Sequence, residues 1–96
     1  MDGESRYGAK MGKKARKTLE AILLKRADAN IPFADLVMLL ESLGFEMRIR
    51  GDHHIFWKTG VPDILNIQPN GKTAKPYPVR QIRNLVLRLG VGVQDE

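Results

Sequence analysis

At Gly44 the apolar pattern of this chain changes period, and that change constrains the fold more than any other feature. Before it, Phe33, Leu36, Val37, Leu39, Leu40 and Leu43 recur at helical spacing and make one broad apolar face. After it, Phe45 to Arg50 alternates strictly. Phe45, Met47 and Ile49 lie on one side, Glu46, Arg48 and Arg50 on the other. A helix must therefore stop at Gly44, in the left-handed position glycine favours. A strand must leave at once. Met38 falls off the helical face, and Pro32 suits the helix's first turn, where its missing N–H costs nothing.

The segments that follow are short. Gly51-Asp52 reads as a turn and His53 to Lys58 as a second strand. Thr59 to Asp63, with Pro62, reads as another turn, and Ile64 to Gln68 as a third strand. Strands joined by such short turns form an antiparallel meander. Pro69 to Pro76 reads as a loop. A last helix is expected from near Pro78 to a glycine stop at Gly90, with Val79, Ile82, Leu85, Val86 and Leu89 buried. Arg80 and Arg83 are expected together on another face of it.

One more helix precedes this core. Lys13 to Ala27 are good helix formers. Ala15, Leu19, Ile22 and Leu23 form its stripe, and off-stripe Leu24 suggests contact with a second surface. Residues 1–11 are expected to be a disordered leader, 12–30 an appended basic helix, 31–91 the core domain and 92–96 a tail. Met11 offers an alternative start, with residues 1–10 then a leader. The fold class is thus α+β: an α-β-β-β-α sandwich with a three-stranded antiparallel sheet, preceded by an additional helix.

The second strand carries His53, Ile55 and Trp57 on one face, and His54, Phe56 and Lys58 on the other. Large apolar groups on both faces do not suit a sheet with one wet side. The second face is therefore expected to be covered, by the N-terminal helix or by another chain.

Composition narrows the function. The 96 residues suffice for one domain. There is no cysteine, which excludes a disulfide framework, a thiolate zinc site and a cysteine nucleophile. Two histidines do not make a histidine-rich metal cluster. The longest apolar run, Leu36 to Leu40, is too short to span a bilayer. No charged-then-apolar signal opens the chain, so a cytoplasmic protein is expected.

Sixteen Lys and Arg against eleven Asp and Glu give a net charge of +5. That favours a polyanionic partner, nucleic acid being the usual one. The cations cluster. Lys10, Lys13, Lys14, Arg16 and Lys17 share one acid-free stretch, and Lys72, Lys75, Arg80, Arg83 and Arg88 another. Two separated patches can track a phosphate backbone. The bland alternative is a solvated basic surface.

Histidine is the obvious residue for acid–base work near neutral pH. His53 and His54 are adjacent on a strand, so they point to opposite faces, and at most one is catalytic. His53 stands at an open turn, with the Asp52 carboxylate beside it to orient the ring. Cleavage of RNA needs a base for the 2′-hydroxyl or an acid for the leaving 5′-oxygen, which a histidine can supply. Fixed cations stabilise the charge gathered on phosphorus. Lys72, Lys75, Arg80 and Arg83 are the candidates for this, with Lys58 and Arg50 behind them. Tyr77 is an ordinary candidate for the second acid–base role. Trp57 can stack on a base, though packing explains it as well.

Two stretches carry a family resemblance. One is the helix end Leu40-Glu41-Ser42-Leu43-Gly44-Phe45. The other is the turn Gly51-Asp52-His53, with Phe56 three residues on. Followed by a short strand, a proline-bearing loop and a basic helix, they make the chain from roughly Phe33 to Gly90 resemble the HicA toxin family. These are the small RNases of HicAB toxin–antitoxin systems. The resemblance implies a fold like a double-stranded-RNA-binding domain. It also implies a metal-independent, cofactor-free endoribonuclease acting on mRNA, with one catalytic histidine. By position that histidine is His53. A cognate HicB-like antitoxin is the implied partner, covering the histidine face and neutralising the basic groove. The chain departs from the family pattern in two places. Asp52 stands where serine is usual, and the Lys13–Ala27 helix is an addition. A non-catalytic RNA-binding module remains the alternative, and an interaction protein for an acidic partner a third reading.

Overall fold

A computed structural model describes residues 11–26 and 28–90. Helix α1 spans Lys13–Leu23, and a single 3-10 turn Asp28–Asn30. Helix α2 is Phe33–Ser42. Strands β1 Glu46–Arg50, β2 His53–Lys58 and β3 Val61–Ile67 form an antiparallel sheet in the order β1-β2-β3. A small hairpin, β4 Pro69–Asn70 and β5 Thr73–Ala74, leads into helix α3, Pro76–Leu89. The element order is the expected α+β one, with the extra helix in front.

The first two helices end by the same device. At the end of α2 the Gly44 N–H bonds to Glu41 O and the Phe45 N–H to Leu40 O, both at 3.0 Å. Gly44 sits at φ 94°, so the chain reverses and Phe45 folds back, buried, over buried Leu40. At the end of α1 the Lys25 N–H bonds to Ile22 O and the Arg26 N–H to Ala21 O. Here lysine, not glycine, takes the left-handed position, at φ 57°. Helix α1 therefore stops at Leu23, four residues short of the expected Ala27. Leu24 is the C-cap and is exposed.

Two other boundaries differ from expectation. Strand β3 begins at Val61, because Thr59-Gly60 is a two-residue turn. Pro62 lies within the strand, not in the turn. It is tolerated because β3 is an edge strand and the register shifts there. Phe56 pairs with Leu65 and Lys58 with Val61, so Trp57 alone opposes Pro62, Asp63 and Ile64. Helix α3 starts at Pro76, with Pro76 and Pro78 both in the first turn, where the missing N–H groups have no intrahelical partner to lose.

Phe56, Leu65 and Ile67 on the inner sheet face pack with Leu36, Leu39 and Leu40 of α2 and Val79, Ile82, Leu85 and Val86 of α3. Met11, Ala15, Leu19 and Ile22 join the same cluster, so the additional helix shares one core with the rest. It packs on α2 and α3, not on the sheet. The expectation that it covers the second sheet face is thus corrected, and among the described residues nothing lies over that face. Trp57 there is half-buried, beneath the Arg48 guanidinium 5.9 Å from its ring. The expected leader at residues 1–10 and the tail at 92–96 lie outside the described residues, whereas Met11 is buried.

Candidate active site

The β1–β2 turn delivers His53 to the first position of β2. Phe56, three residues on, is fully buried on the inner face, so alternation turns His53 to the open face. Its side chain is 45% exposed. Register places Arg50 directly opposite on β1, and Asn66 and Gln68 approach from the β3 side.

Three polar groups hold the ring. Nδ1 lies 3.0 Å from Asn66 Oδ1, and Nε2 lies 3.4 Å from Gln68 Nε2. A carbonyl oxygen only accepts and an amide nitrogen only donates. The partners are therefore satisfied together by one tautomer: Nδ1–H donates to Asn66, and Nε2 keeps a lone pair facing the Gln68 amide. The Asp52 carboxylate stands 3.9 Å from Nε2. This arrangement leaves Nε2 at a half-open surface, with the ring orientation set from the neighbouring strand β3 and its end.

His54 has a different environment. It points inward, edge-on to Phe33 at 4.7 Å between ring centroids. Its Nδ1 is buried with no hydrogen-bond partner among the described residues. The adjacent histidines do occupy opposite faces.

The cations proposed from sequence divide by location. Arg50 is the cross-strand neighbour of His53 and is exposed. Lys72 lies in the β4–β5 turn and Lys75 caps α3; both are exposed. The hairpin continues directly from Gln68, so these lysines belong to the same end of the molecule as His53. Arg80 is exposed on the first turns of α3.

Arg83 is a correction. It is 7% exposed, its Nε donates to Ile22 O at 2.7 Å, and its other nitrogen pairs with Asp28. Its charge is consumed inside the fold, and it shares no surface with Arg80. A stripe of apolar α3 residues brackets it, and only the docked α1 makes that position interior. Lys58 lies at the far end of β2 on the inner face, with its ammonium against Gly44 at the C-terminus of α2. It does not join His53. Tyr77 is exposed at the start of α3.

Sequence reasoning missed Asn66 and Gln68. The available signal was their spacing on the third strand, which puts both on the face opposite buried Leu65 and Ile67. The register needed to align them with His53 depends on the irregularity opposite Trp57.

A family model described as HicA toxin of bacterial toxin–antitoxin matches residues 33–89. The chain belongs to the HicA toxin family. Among curated proteins and among solved structures, none matches it. Membership makes the protein a toxin of a toxin–antitoxin system, with a cognate antitoxin as partner. The matched HicA segment begins at the first residue of α2 and ends at the last of α3. Helix α1 and the 3-10 turn lie outside it. No helix among the described residues is long and apolar enough to cross a membrane.

Proposed function

We propose that this HicA protein is a metal-independent endoribonuclease that cuts mRNA, with His53 as its acid–base residue. The observation that carries the reading is the pair of contacts on the His53 ring, Asn66 Oδ1 at Nδ1 and the Gln68 amide at Nε2. With Nδ1–H donating to Asn66 Oδ1, Nε2 is the nitrogen that exchanges protons with substrate. In the reaction, the 2′-oxygen attacks phosphorus while the bond to the 5′-oxygen breaks. Nε2 accepts the 2′-hydroxyl proton, a role worth about 10²–10⁴ in rate, and the departing 5′-oxygen takes a proton from water, leaving a 2′,3′-cyclic phosphate and a 5′-hydroxyl. Arg50, Lys72, Lys75 and Arg80 supply the positive charge that favours the phosphorane and binds the flanking phosphates. The antitoxin would act by covering this end of the sheet.

The reading is tested by RNA cleavage in EDTA, comparing wild type with His53→Ala and His54→Ala. Loss in His53→Ala alone is the expected result. Cleavage that persists in His53→Ala refutes the assignment.

A second reading is supported by Asp52. Its carboxylate 3.9 Å from Nε2 repels a phosphate approaching that nitrogen. A protein so built could bind RNA without cutting it. Salt-sensitive RNA binding with no turnover in the wild type would favour this reading.

A further inference from the structure

Helix α1 and the lead-in to α2 enclose a groove of about 610 Å³ on the helical side of the molecule. Its floor includes Ile31 and Pro32, and four cations line it: Lys13, Lys14, Lys17 and Arg26. The one acid lining it, Asp35, is already met by Lys14 at 3.8 Å. On a helix, Lys13 and Lys17 stand about 6 Å apart along the axis and on the same side. None of these four cations belongs to the segment that defines the family.

The groove connects to the His53 site through hydrogen bonds. Ile31 O accepts the Ala74 N–H at 2.9 Å, and Pro32 bridges to Thr73. Phe33 N–H donates to Lys72 O at 2.9 Å. The hairpin made by these residues is the one that emerges from Gln68, whose amide faces His53. The hairpin therefore ties the segment that floors the groove to the strand end whose Gln68 faces His53.

We infer that the α1 groove is a second RNA-binding site, which holds the single strand some distance from the bond cut at His53. The inference rests on the proposed ribonuclease reading and extends its substrate contacts onto the added helix. Two features identify the ligand chemistry. A rim of four cations suits phosphates, and an apolar floor suits a ribose or an unstacked base. An acidic protein segment would satisfy the charge as well. The continuity with the hairpin and His53 favours RNA.

The test uses the full chain and labelled 2′-O-methyl RNA of about 4 and about 16 nucleotides, the range of single-strand site sizes. The 2′-O-methyl group blocks the attacking oxygen, so binding is read without turnover. Wild type is compared with the quadruple variant Lys13→Ala, Lys14→Ala, Lys17→Ala, Arg26→Ala. A matched variant with the three lysines changed to arginine controls for charge, and circular dichroism confirms helix content.

The expected result is that the advantage of long over short RNA collapses in the alanine variant and persists in the arginine one. The slope of log affinity against log salt should fall by about 2, at about 0.7 per single-strand phosphate neutralised by the three cations not paired with Asp35. Equal length dependence and slope in wild type and alanine variant overturn the inference. If ordinary RNA is still cleaved through His53 in that case, the ribonuclease reading stands without it. Groove-dependent binding in a wild type that cuts no RNA has the opposite meaning: it supports the groove and refutes the catalytic reading. Retained RNA binding with lost affinity for polyglutamate assigns the groove to an acidic protein and also overturns it.

Discussion

The guanidinium of Arg83 on α3 donates to the main-chain oxygen of Ile22, 2.7 Å away, in the last turn of α1. The same side chain pairs with Asp28 just beyond that helix. One cation thus closes the C-terminal end of α1, where carbonyls lack partners and the helix dipole favours positive charge. It also joins the family-defining segment to the helix added in front of it.

Replacing Arg83 with alanine leaves Asp28 without this partner and the Ile22 carbonyl with only the Lys25 N–H. Removing one member of a buried pair costs about 3–5 kcal/mol, and Asp28 is partly exposed, so about 3 is expected. Urea unfolding measures it. Arg83→Lys should restore less than half, because a single ammonium does not reproduce the forked geometry. An unchanged midpoint in Arg83→Ala would contradict the account.

Deleting residues 1–28 should lower stability and solubility. Leu19 and Ile22 are fully buried, and each contributes about 1.5–3 kcal/mol by burial alone. The loss is comparable with the whole stability of a small domain, about 5–15 kcal/mol. The truncated protein should bind a hydrophobic dye and aggregate on heating. A soluble, cooperatively unfolding remnant would show that α1 is dispensable.

Lys25 occupies a left-handed backbone conformation that costs a side-chain-bearing residue about 1–2 kcal/mol. Lys25→Gly should relieve most of this against the greater unfolded-state freedom of glycine, a net gain of about 1 kcal/mol. Thermal unfolding should shift upward by a few degrees. The converse change at the equivalent position of α2, Gly44→Ala, should destabilise, since its new Cβ would also meet the Lys58 ammonium.

Asn66 orients the catalytic imidazole in the proposed mechanism and does not touch substrate. Asn66→Leu should therefore reduce kcat by about 10-fold to 100-fold with KM little changed, while His53→Ala removes the full acid–base term. Imidazole NMR supplies a readout that a merely structural role would not move. The Nδ1 proton resonance of His53 should be lost or shifted in Asn66→Leu. A KM effect without a kcat effect would remove Asn66 from this role.

Asp52→Ser replaces a carboxylate near Nε2 with the residue usual in the family pattern. Loss of a repulsive charge should tighten RNA binding and raise kcat/KM, more at low salt than at high. If Asp52 instead holds the ring for catalysis, the same change lowers kcat. The sign of the effect decides between these two roles.

Helix α2, its stop at Gly44 and the start of β1 were all legible from the sequence. A glycine at a period change, with a buried residue on either side, specifies a local reversal whatever the rest of the chain does. The opposite facing of His53 and His54 was legible for the same reason, since alternation is a property of any strand. The end of α1 was not. Nothing marks Lys25 as a residue that tolerates a positive φ, and the docking of Arg83 onto that helix end helps to hold it.

The site was legible in part. His53 and the exposure of Arg50, Lys72, Lys75 and Arg80 fit a reading of turns and charge. Its supports Asn66 and Gln68 did not, because they lie 13 and 15 residues away and their alignment depends on an irregular register. Arg83 misled because charge pattern alone resembles a surface residue; only the arrival of α1, 61 residues earlier in the chain, buries it.

By itself the sequence determined the three helices, the three strands of the main sheet, their order, the α+β class and the opposite facing of the two histidines, but it read the β4–β5 hairpin as a loop. These follow from periodicity, glycine and proline placement, and charge, all of which act within a few residues. Tertiary structure decided which surface α1 covers, which arginine is interior, and which side chains meet the two ring nitrogens of His53. Each of these depends on contacts between distant segments, whose geometry exists only once the chain has closed around its core.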